Sequence, residues 1–203
     1  MKLVIPSRGK IFLTSQDDVI SSRYYNRLSR WVYRKRLQMA LDLLGDRKHE
    51  KILDVGFGSG ILEPSLSKLG SVTAIDIHDK MGLVREMVGM ADYRKISLLE
   101  APWKNEFDVV ICMSVLEHME GKRLTEAVEK LLSLVKNDGF VLVGVPNSSV
   151  FVKAWFKLNG SPALKNHKST SQEIEGKITE RATVTGSKSI PFVYTVYKVR
   201  RKK

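Results

Sequence analysis

The segment Ile52-Leu53-Asp54-Val55-Gly56-Phe57-Gly58-Ser59-Gly60 decides the fold. A short apolar run that ends in an acid and is followed by three alternating glycines is a strand turning at once into a helix. Glycines remove the Cβ atoms that would hold a ligand away from the backbone, and the turn offers free N–H groups at the start of the next helix. Such a turn marks a nucleotide-type pocket. Its spacing differs from the dinucleotide fingerprint G-x-G-x-x-G, because Ile61 stands at the third glycine position and the glycine lies at 60.

Working outward, Val72-Thr73-Ala74-Ile75-Asp76-Ile77 reads as a second buried strand whose acid lies twenty positions after Gly56. A carboxylate at the tip of strand two can accept hydrogen bonds from both hydroxyls of a ribose, which makes Asp76 the leading binding residue. The plainer alternative is that Asp76 caps the turn before Asp79 and Lys80. Strand-like and helix-like segments alternate from 51 to 145, which predicts a βαβ sheet of five parallel strands. They are expected near 51–55, 72–76, 95–99, 108–113 and 139–145, with helices near 61–69, 80–90 and 122–136. Pro64 fits the first turn of its helix, where a missing N–H costs no internal bond. Residues 179–185 and 192–199, separated by Gly186-Ser187-Lys188, predict a closing antiparallel pair.

The Asp54-x-Gly56-x-Gly58-x-Gly60 pattern resembles motif I of the class I S-adenosylmethionine (SAM) dependent methyltransferases. Glu106-Phe107-Asp108-Val109-Val110-Ile111-Cys112-Met113-Ser114-Val115-Leu116-Glu117-His118-Met119 resembles motif IV of the ubiquinone-biosynthesis-like members. Leu142-Val143-Gly144-Val145-Pro146-Asn147 matches their strand five and its Pro-Asn exit. The resemblance covers roughly residues 50 to 200. It implies an α/β, Rossmann-like three-layer sandwich whose mostly parallel seven-stranded sheet has an antiparallel last strand. It also implies SAM as cofactor, contacted by Asp54, Gly56, Phe57, Gly58, Ser59, Gly60, Asp76, Ile77, Glu100, Ala101, Met113 and Ser114. His118 either takes a proton from a hydroxyl nucleophile, as an imidazole can near neutrality, or shapes the loop beside the cofactor. One domain over 1–203 is expected: a basic helical lid over 1–48, a SAM-binding core over 49–146, and an acceptor-side insertion with closing strands over 147–203.

The 203 residues, 43% of them hydrophobic, suit one domain with a full-sized core. No run of about 18 apolar residues occurs and Pro6 interrupts the N-terminus early, so a cytoplasmic protein without a transmembrane segment is expected. Cys112, the one cysteine, lies within an apolar run and reads as a core residue. From Ser21 to Leu44, Arg23, Arg27, Arg30 and Arg34 recur as a stripe on a helix, beside an apolar stripe of Tyr24, Leu28, Trp31, Leu37, Leu41 and Leu44. Related methyltransferases use such a helix as a lid with a Tyr or Arg reaching the cofactor carboxylate, which nominates Tyr24 and Tyr25. The bland reading is a solvated basic face. Residues 24–37 and the mixed polar and aromatic stretch 147–170, with Phe151, Trp155 and Phe156, are expected to shape the acceptor site.

A net charge of +12 and the ending Lys198-Val199-Arg200-Arg201-Lys202-Lys203 favour anionic partners: RNA, an anionic lipid surface or a phosphorylated metabolite. Against a dedicated nucleic-acid role stand the lack of an RNA-binding module, of an Asn-Pro-Pro-Tyr motif, and of a Pro-Cys context at Cys112. Glu117, His118, Pro146-Asn147 and His167 do resemble small-RNA 3'-end 2'-O-methyltransferases of the Hen1 type, in which two Glu and two His bind a divalent metal. Here Ser114 replaces the first Glu, and a site lacking one hard carboxylate is weakened, so no metal is expected. The first expectation is therefore a SAM-dependent methyltransferase acting on a small-molecule or lipid-like acceptor. The alternatives are a Hen1-like RNA 2'-O-methyltransferase and a non-catalytic SAM-binding module. Neither the acceptor nor the oligomeric state follows from the motifs.

Overall fold

The computed structural model describes residues 1–7, 22–78, 90–147 and 167–202. The helix expected over 80–90, the turn residues Asp79 and Lys80, and Phe151, Trp155 and Phe156 of the expected insertion lie outside the described residues.

Seven strands form one sheet: β1 Lys51–Val55, β2 Ser71–Asp76, β3 Asp92–Lys95, β4 Phe107–Met113, β5 Val135–Pro146, β6 Ala182–Ile190 and β7 Tyr194–Arg201. Their order is β3-β2-β1-β4-β5-β7-β6. The first five strands run parallel, β7 is antiparallel to β5, and β6 is antiparallel to β7. The α/β fold with an antiparallel last strand is therefore as expected. Among the described residues four α-helices accompany the sheet: α1 Arg30–Leu44, α2 Glu63–Leu66, α3 Gly121–Leu134 and α4 Ser171–Arg181. None among the described residues is long and apolar enough to cross a membrane.

The central strands are apolar on both sides because both are covered, which is the usual condition of a parallel sheet. Along β4, Val109 and Ile111 face the layer built with α1, whereas Val110 and Cys112 face the layer built with α3 and α4. The side-chain period of two thus sorts one strand between two cores. In α3, Leu124, Ala127, Val128, Leu131 and Leu132 recur every three or four residues and supply the buried stripe. In α1 the same role falls to Tyr33, Leu37, Ala40, Leu41 and Leu44. Cys112 is fully buried, and burial pushes its thiol far up.

Several boundaries differ from expectation. β3 spans Asp92–Lys95, not 95–99, and Leu98–Glu100 forms a 3-10 turn. The apolar residues there drop into the core as a turn, while the polar Asp92-Tyr93-Arg94-Lys95 forms the strand, an arrangement open to an edge strand with little to bury. The hairpin between β6 and β7 closes at Pro191-Phe192-Val193, with Phe192 at φ 61° and Val193 N donating to Ile190 O at 3.0 Å. Gly186 instead lies inside β6, at the irregularity between Val184 and Gly186, where it passes under Leu43 of α1. Helix α4 was not expected. Its Thr170-x-x-Glu173 start is a capping box, with Thr170 Oγ1 accepting from Glu173 N at 3.2 Å and Glu173 Oε2 accepting from Thr170 N at 2.7 Å. Nor is the segment from Ser21 one helix. Ser22–Tyr24 is a 3-10 turn and α1 starts only at Arg30, which breaks up the expected arginine stripe.

One side chain closes the last crossover. The Arg201 guanidinium donates to Leu132 O at 2.6 Å, Ser133 O at 3.2 Å and Val135 O at 2.6 Å, and also to Asn105 Oδ1. The three backbone carbonyls lie at the end of α3 and the start of β5, where a cation is also favoured by the helix dipole. Replacing Arg201 with Ala should lower stability by about 1–3 kcal/mol in urea unfolding. Arg201→Lys should recover less than half of that, because an ammonium cannot span the fork.

Candidate functional site

The turn after β1 is built on glycine. Gly56, Gly58 and Gly60 have φ of 76°, 58° and 71°, in the left-handed region that L side chains avoid. The turn is fixed from strand two: Gly56 N donates to Ile75 O at 2.7 Å, and Gly58 N donates to Asp76 Oδ2 at 3.1 Å. Asp76 Oδ1 accepts from His78 N at 2.9 Å. The Asp76 carboxylate is nine-tenths buried and keeps unused lone pairs on both oxygens. A Cβ built on Gly58 would meet nothing within 4 Å, so that the loop borders open space. At Gly56 a Cβ would collide with Val115, which follows β4. A backbone cradle with a carboxylate at its rim suits a nucleoside.

The candidates divide by position. Asp54, the five residues Gly56 to Gly60, and Asp76 come together in this turn. Phe57 is buried and its ring lies 5.2 Å from that of Tyr93, whereas Ile77 is 60% exposed at the strand tip. Glu100 is exposed and Ala101 is packed into the core. Met113 and Ser114 end β4, beside Val115. Ser114 has φ 61°, and its hydroxyl bonds Tyr194 Oη at 2.8 Å and accepts from the Arg36 guanidinium at 3.1 Å. Tyr24 accepts from the same guanidinium at 2.5 Å. Tyr25 turns away and donates to Pro6 O at 2.8 Å.

Three groups take their setting only from the structure; the sequence motifs point to one of them, Glu117, as a metal-type ligand. The first is Arg36, whose Cζ lies 4.8, 5.5 and 5.6 Å from the rings of Tyr33, Tyr24 and Tyr194. Its Nε is buried without a partner among the described residues. A cation so deeply held is costly unless something anionic completes it. The second is Glu117, whose carboxyl is buried and raised to about 7 by desolvation, against the opposing pull of Arg36 and Ser114. The third is Glu63, at the start of α2 behind the glycine loop. Glu63 is fully buried against Asp54; desolvation raises Asp54 to about 7 and Glu63 well above the usual range. Two carboxyls in one dry site cannot both ionise, so the pair retains a proton, and neither Glu63 oxygen has a hydrogen-bond partner among the described residues. Its place nine residues after Asp54 was the available signal, hidden because helix-starting acids are common.

His118 is exposed, one 3-10 turn beyond Ser114, with its ring 5.5 Å from that of His167. Lys168 N and Ser169 N both donate to Glu117 O, at 2.7 and 3.2 Å, and strap His167 to this turn. Ligand atoms of Glu117, His118 and His167 lie within 4.8 Å of one another.

Residues 25–175 match the methyltransferase domain family, and the chain belongs to that family. Among curated proteins, the ubiquinone biosynthesis O-methyltransferase of Nitrosomonas europaea is 34% identical over 120 residues, covering 55% of this chain. The chain spans about half the length of that relative, 50% of it being matched. The fold is shared with 1,6-didemethyltoxoflavin-N1-methyltransferase of Burkholderia thailandensis, solved with 1,6-didemethyltoxoflavin and S-adenosylhomocysteine. Identity is 18%, the TM-score 0.66, and 93% of this chain and 88% of that one are covered. It is shared too with magnesium protoporphyrin IX methyltransferase of Synechocystis PCC 6803 with bound S-adenosylhomocysteine, at 18% identity and TM-score 0.69, over 94% and 96% of the two chains.

The buried acid pair gives a prediction. The folded chain holds protons on Asp54 and Glu63 to higher pH than the unfolded chain, whose carboxyls titrate near 4. The pair therefore lowers stability as pH rises from about 4 through about 7. Glu63→Gln removes one of the two titrating acids, so its stability relative to the parent should improve by about 1 kcal/mol or more between pH 5 and pH 8. Urea unfolding of both proteins at the two pH values checks this, and parallel curves would remove the retained proton.

Proposed function

We propose that the chain transfers a methyl group from SAM to a small-molecule or lipid-like acceptor through an oxygen, nitrogen or carbon nucleophile. The observation that carries this is the Gly58–Asp76 clasp, in which a backbone turn open to a ligand is bonded to a carboxylate with lone pairs to spare. The loop fits the methionine part of SAM, and Asp76 fits its ribose. Family membership and the methyltransferase neighbours support the same reading. Bound SAM would supply an activated methyl group; the protein's part is to hold the acceptor in line and keep water out.

The roles follow from position. Gly56, Phe57, Gly58, Ser59 and Gly60 form the cradle, with Asp54 holding it from below. Ile77, Glu100 and Ala101 belong to the adenine side, and Met113 and Ser114 to the side of the reacting centre. Arg36, with its orphan Nε, is the group we assign to the cofactor carboxylate. His118 receives the acceptor's proton where the nucleophile is a hydroxyl. Residues 49–146 are the SAM-binding core, 1–48 the basic lid that brings Arg36 to it, and 147–203 the acceptor-side insertion and closing strands. A cytoplasmic setting accords with the single buried thiol.

A second reading, RNA 2'-O-methyl transfer with a metal, is favoured by the convergence of Glu117, His118 and His167. These residues do not complete a hard divalent site. Ser114, standing where the Hen1 resemblance calls for a Glu, is bonded to the permanent cation Arg36, whose field opposes a second positive charge. Turnover unchanged by Mg²⁺, Mn²⁺ and chelator is expected; stimulation by metal together with salt-dependent RNA binding would install the second reading.

Calorimetric titration with SAM and S-adenosylhomocysteine tests the main reading. Asp76→Ala should weaken binding by roughly 1–3 kcal/mol, the loss of charge-assisted hydrogen bonds. Gly58→Val should abolish it while the unfolding curve stays cooperative. Unchanged affinity in both would move the pocket elsewhere. His118→Ala should leave SAM affinity intact and lower turnover; equal losses in both would make His118 a cofactor-site residue. Binding without turnover on any acceptor would leave a SAM-binding module.

A further inference from the structure

The corner where the chain enters α1 exposes large apolar side chains beside arginines. Leu28 is 83% exposed and Trp31 is 63% exposed, although the sequence pattern assigns both to a buried stripe. Arg27, Arg30 and Lys35 beside them are exposed as well. No acid occurs between Asp18 and Asp42, and neither Arg27 nor Arg30 is ion-paired among the described residues. Several cations elsewhere do have carboxylate partners: Arg94 with Asp92, Lys136 with Glu50 and Asp108, Arg181 with Glu129, Lys188 with Asp42. The corner also has a fixed place. Arg34 Nε donates to Tyr24 O at 2.8 Å, and Ser29 Oγ donates to Arg23 O at 3.0 Å, so the turn before α1 is tied down. Arg36, one turn further, reaches Ser114 at the carboxyl end of β4, which puts the corner on the side of the sheet where the glycine loop opens.

We propose that residues Arg27 to Trp31 form an interfacial anchor that seats the protein on an anionic lipid surface, with the site facing the headgroups. Leu28 and Trp31 would enter the boundary between headgroups and acyl chains, the zone an indole prefers. Arg27 and Arg30 would meet lipid phosphates, for which a guanidinium fork is well shaped. The combination selects this occupant over others. A polynucleotide would satisfy the arginines and could stack on Trp31 but would leave Leu28 in water. A second copy meeting this corner symmetrically would bring unpaired arginines face to face. The anchor stands independently of the chemistry proposed above; an amphipathic acceptor would be delivered by it, but docking itself needs no acceptor.

Flotation of the full chain with phosphatidylcholine vesicles and with equimolar phosphatidylcholine–phosphatidylglycerol vesicles provides the test. Binding to the anionic vesicles alone, falling as salt rises, is expected. The exposed-position variants Leu28→Ser/Trp31→Ser and Arg27→Glu/Arg30→Glu should each weaken it by about tenfold or more. Both should keep the parent's unfolding curve and SAM affinity, which separates failure of the anchor from failure of the methyltransferase reading. The proposal is overturned by equal binding to both vesicle types, by anionic binding that survives Leu28→Ser/Trp31→Ser, or by no vesicle binding. It is also overturned if the variants abolish binding to a single-stranded polynucleotide, or dissociate a dimer in sedimentation, and leave vesicle binding unchanged.

Discussion

The hydrogen bond from Gly58 N to Asp76 is the contact on which the site depends. Three residues with positive φ in five positions make a turn with little intrinsic preference for one shape, since glycine loses more conformational freedom on ordering than any other residue. Strand two supplies the order. It offers Ile75 O to Gly56 N and Asp76 Oδ2 to Gly58 N, so the loop takes its shape from a neighbouring strand that is itself paired on both sides. The same carboxylate then has oxygen lone pairs left for a ligand. One residue thus joins the stability of the sheet to the geometry of the cradle.

Much of this was legible in the sequence, and the limits have physical causes. β1, β2 and β4 were readable to within a residue because strands covered on both faces must be apolar throughout and end abruptly at Gly56, Asp76 and Ser114. β3 was misplaced because an edge strand has no such requirement, and the apolar run beside it, Ile96 to Leu99, is used to plug the core. Gly186-Ser187-Lys188 has the composition of a hairpin turn, yet proline decides: Pro191 lacks the N–H needed to continue β6, so the turn forms there. In the site, backbone-encoded parts were visible and side-chain assemblies were not. Arg36 belongs to no motif read from the chain; only the folding of α1 over β4 and β7 brings it between Tyr24, Tyr33, Tyr194 and Ser114.

That assembly explains how the N-terminal region is held. A buried guanidinium has five donors to satisfy, and here two are used on Tyr24 and Ser114 while three aromatic faces surround the plane. The rings exclude water, which strengthens the remaining electrostatics and makes the unused Nε expensive. An arrangement that is nearly but not fully satisfied is costly in an isolated protein and becomes favourable once an anion completes it. A ligand carboxylate arriving at this point would therefore draw much of its affinity from a penalty that the empty protein already bears.

The two halves of the site consequently differ in how freely they can vary. On the cofactor side, geometry rests on backbone conformation and on an acid at a strand tip, and few substitutions leave either intact. Around Ser114, it rests on side chains from segments distant in sequence: Arg36, Glu117, His118, His167 and Tyr194. Of these only Tyr194 lies in a strand, so the other four can change while the sheet remains. The fold therefore identifies the chemistry that the cradle serves far better than it identifies the acceptor. Glu117 illustrates the point. Its carboxyl is held near neutrality by burial alone, so adding or removing a single cation or hydroxyl beside it would decide whether it is charged. The charge of Glu117 can thus be retuned at Ser114 or Arg36 without disturbing the glycine turn, which is anchored on the other side of β1.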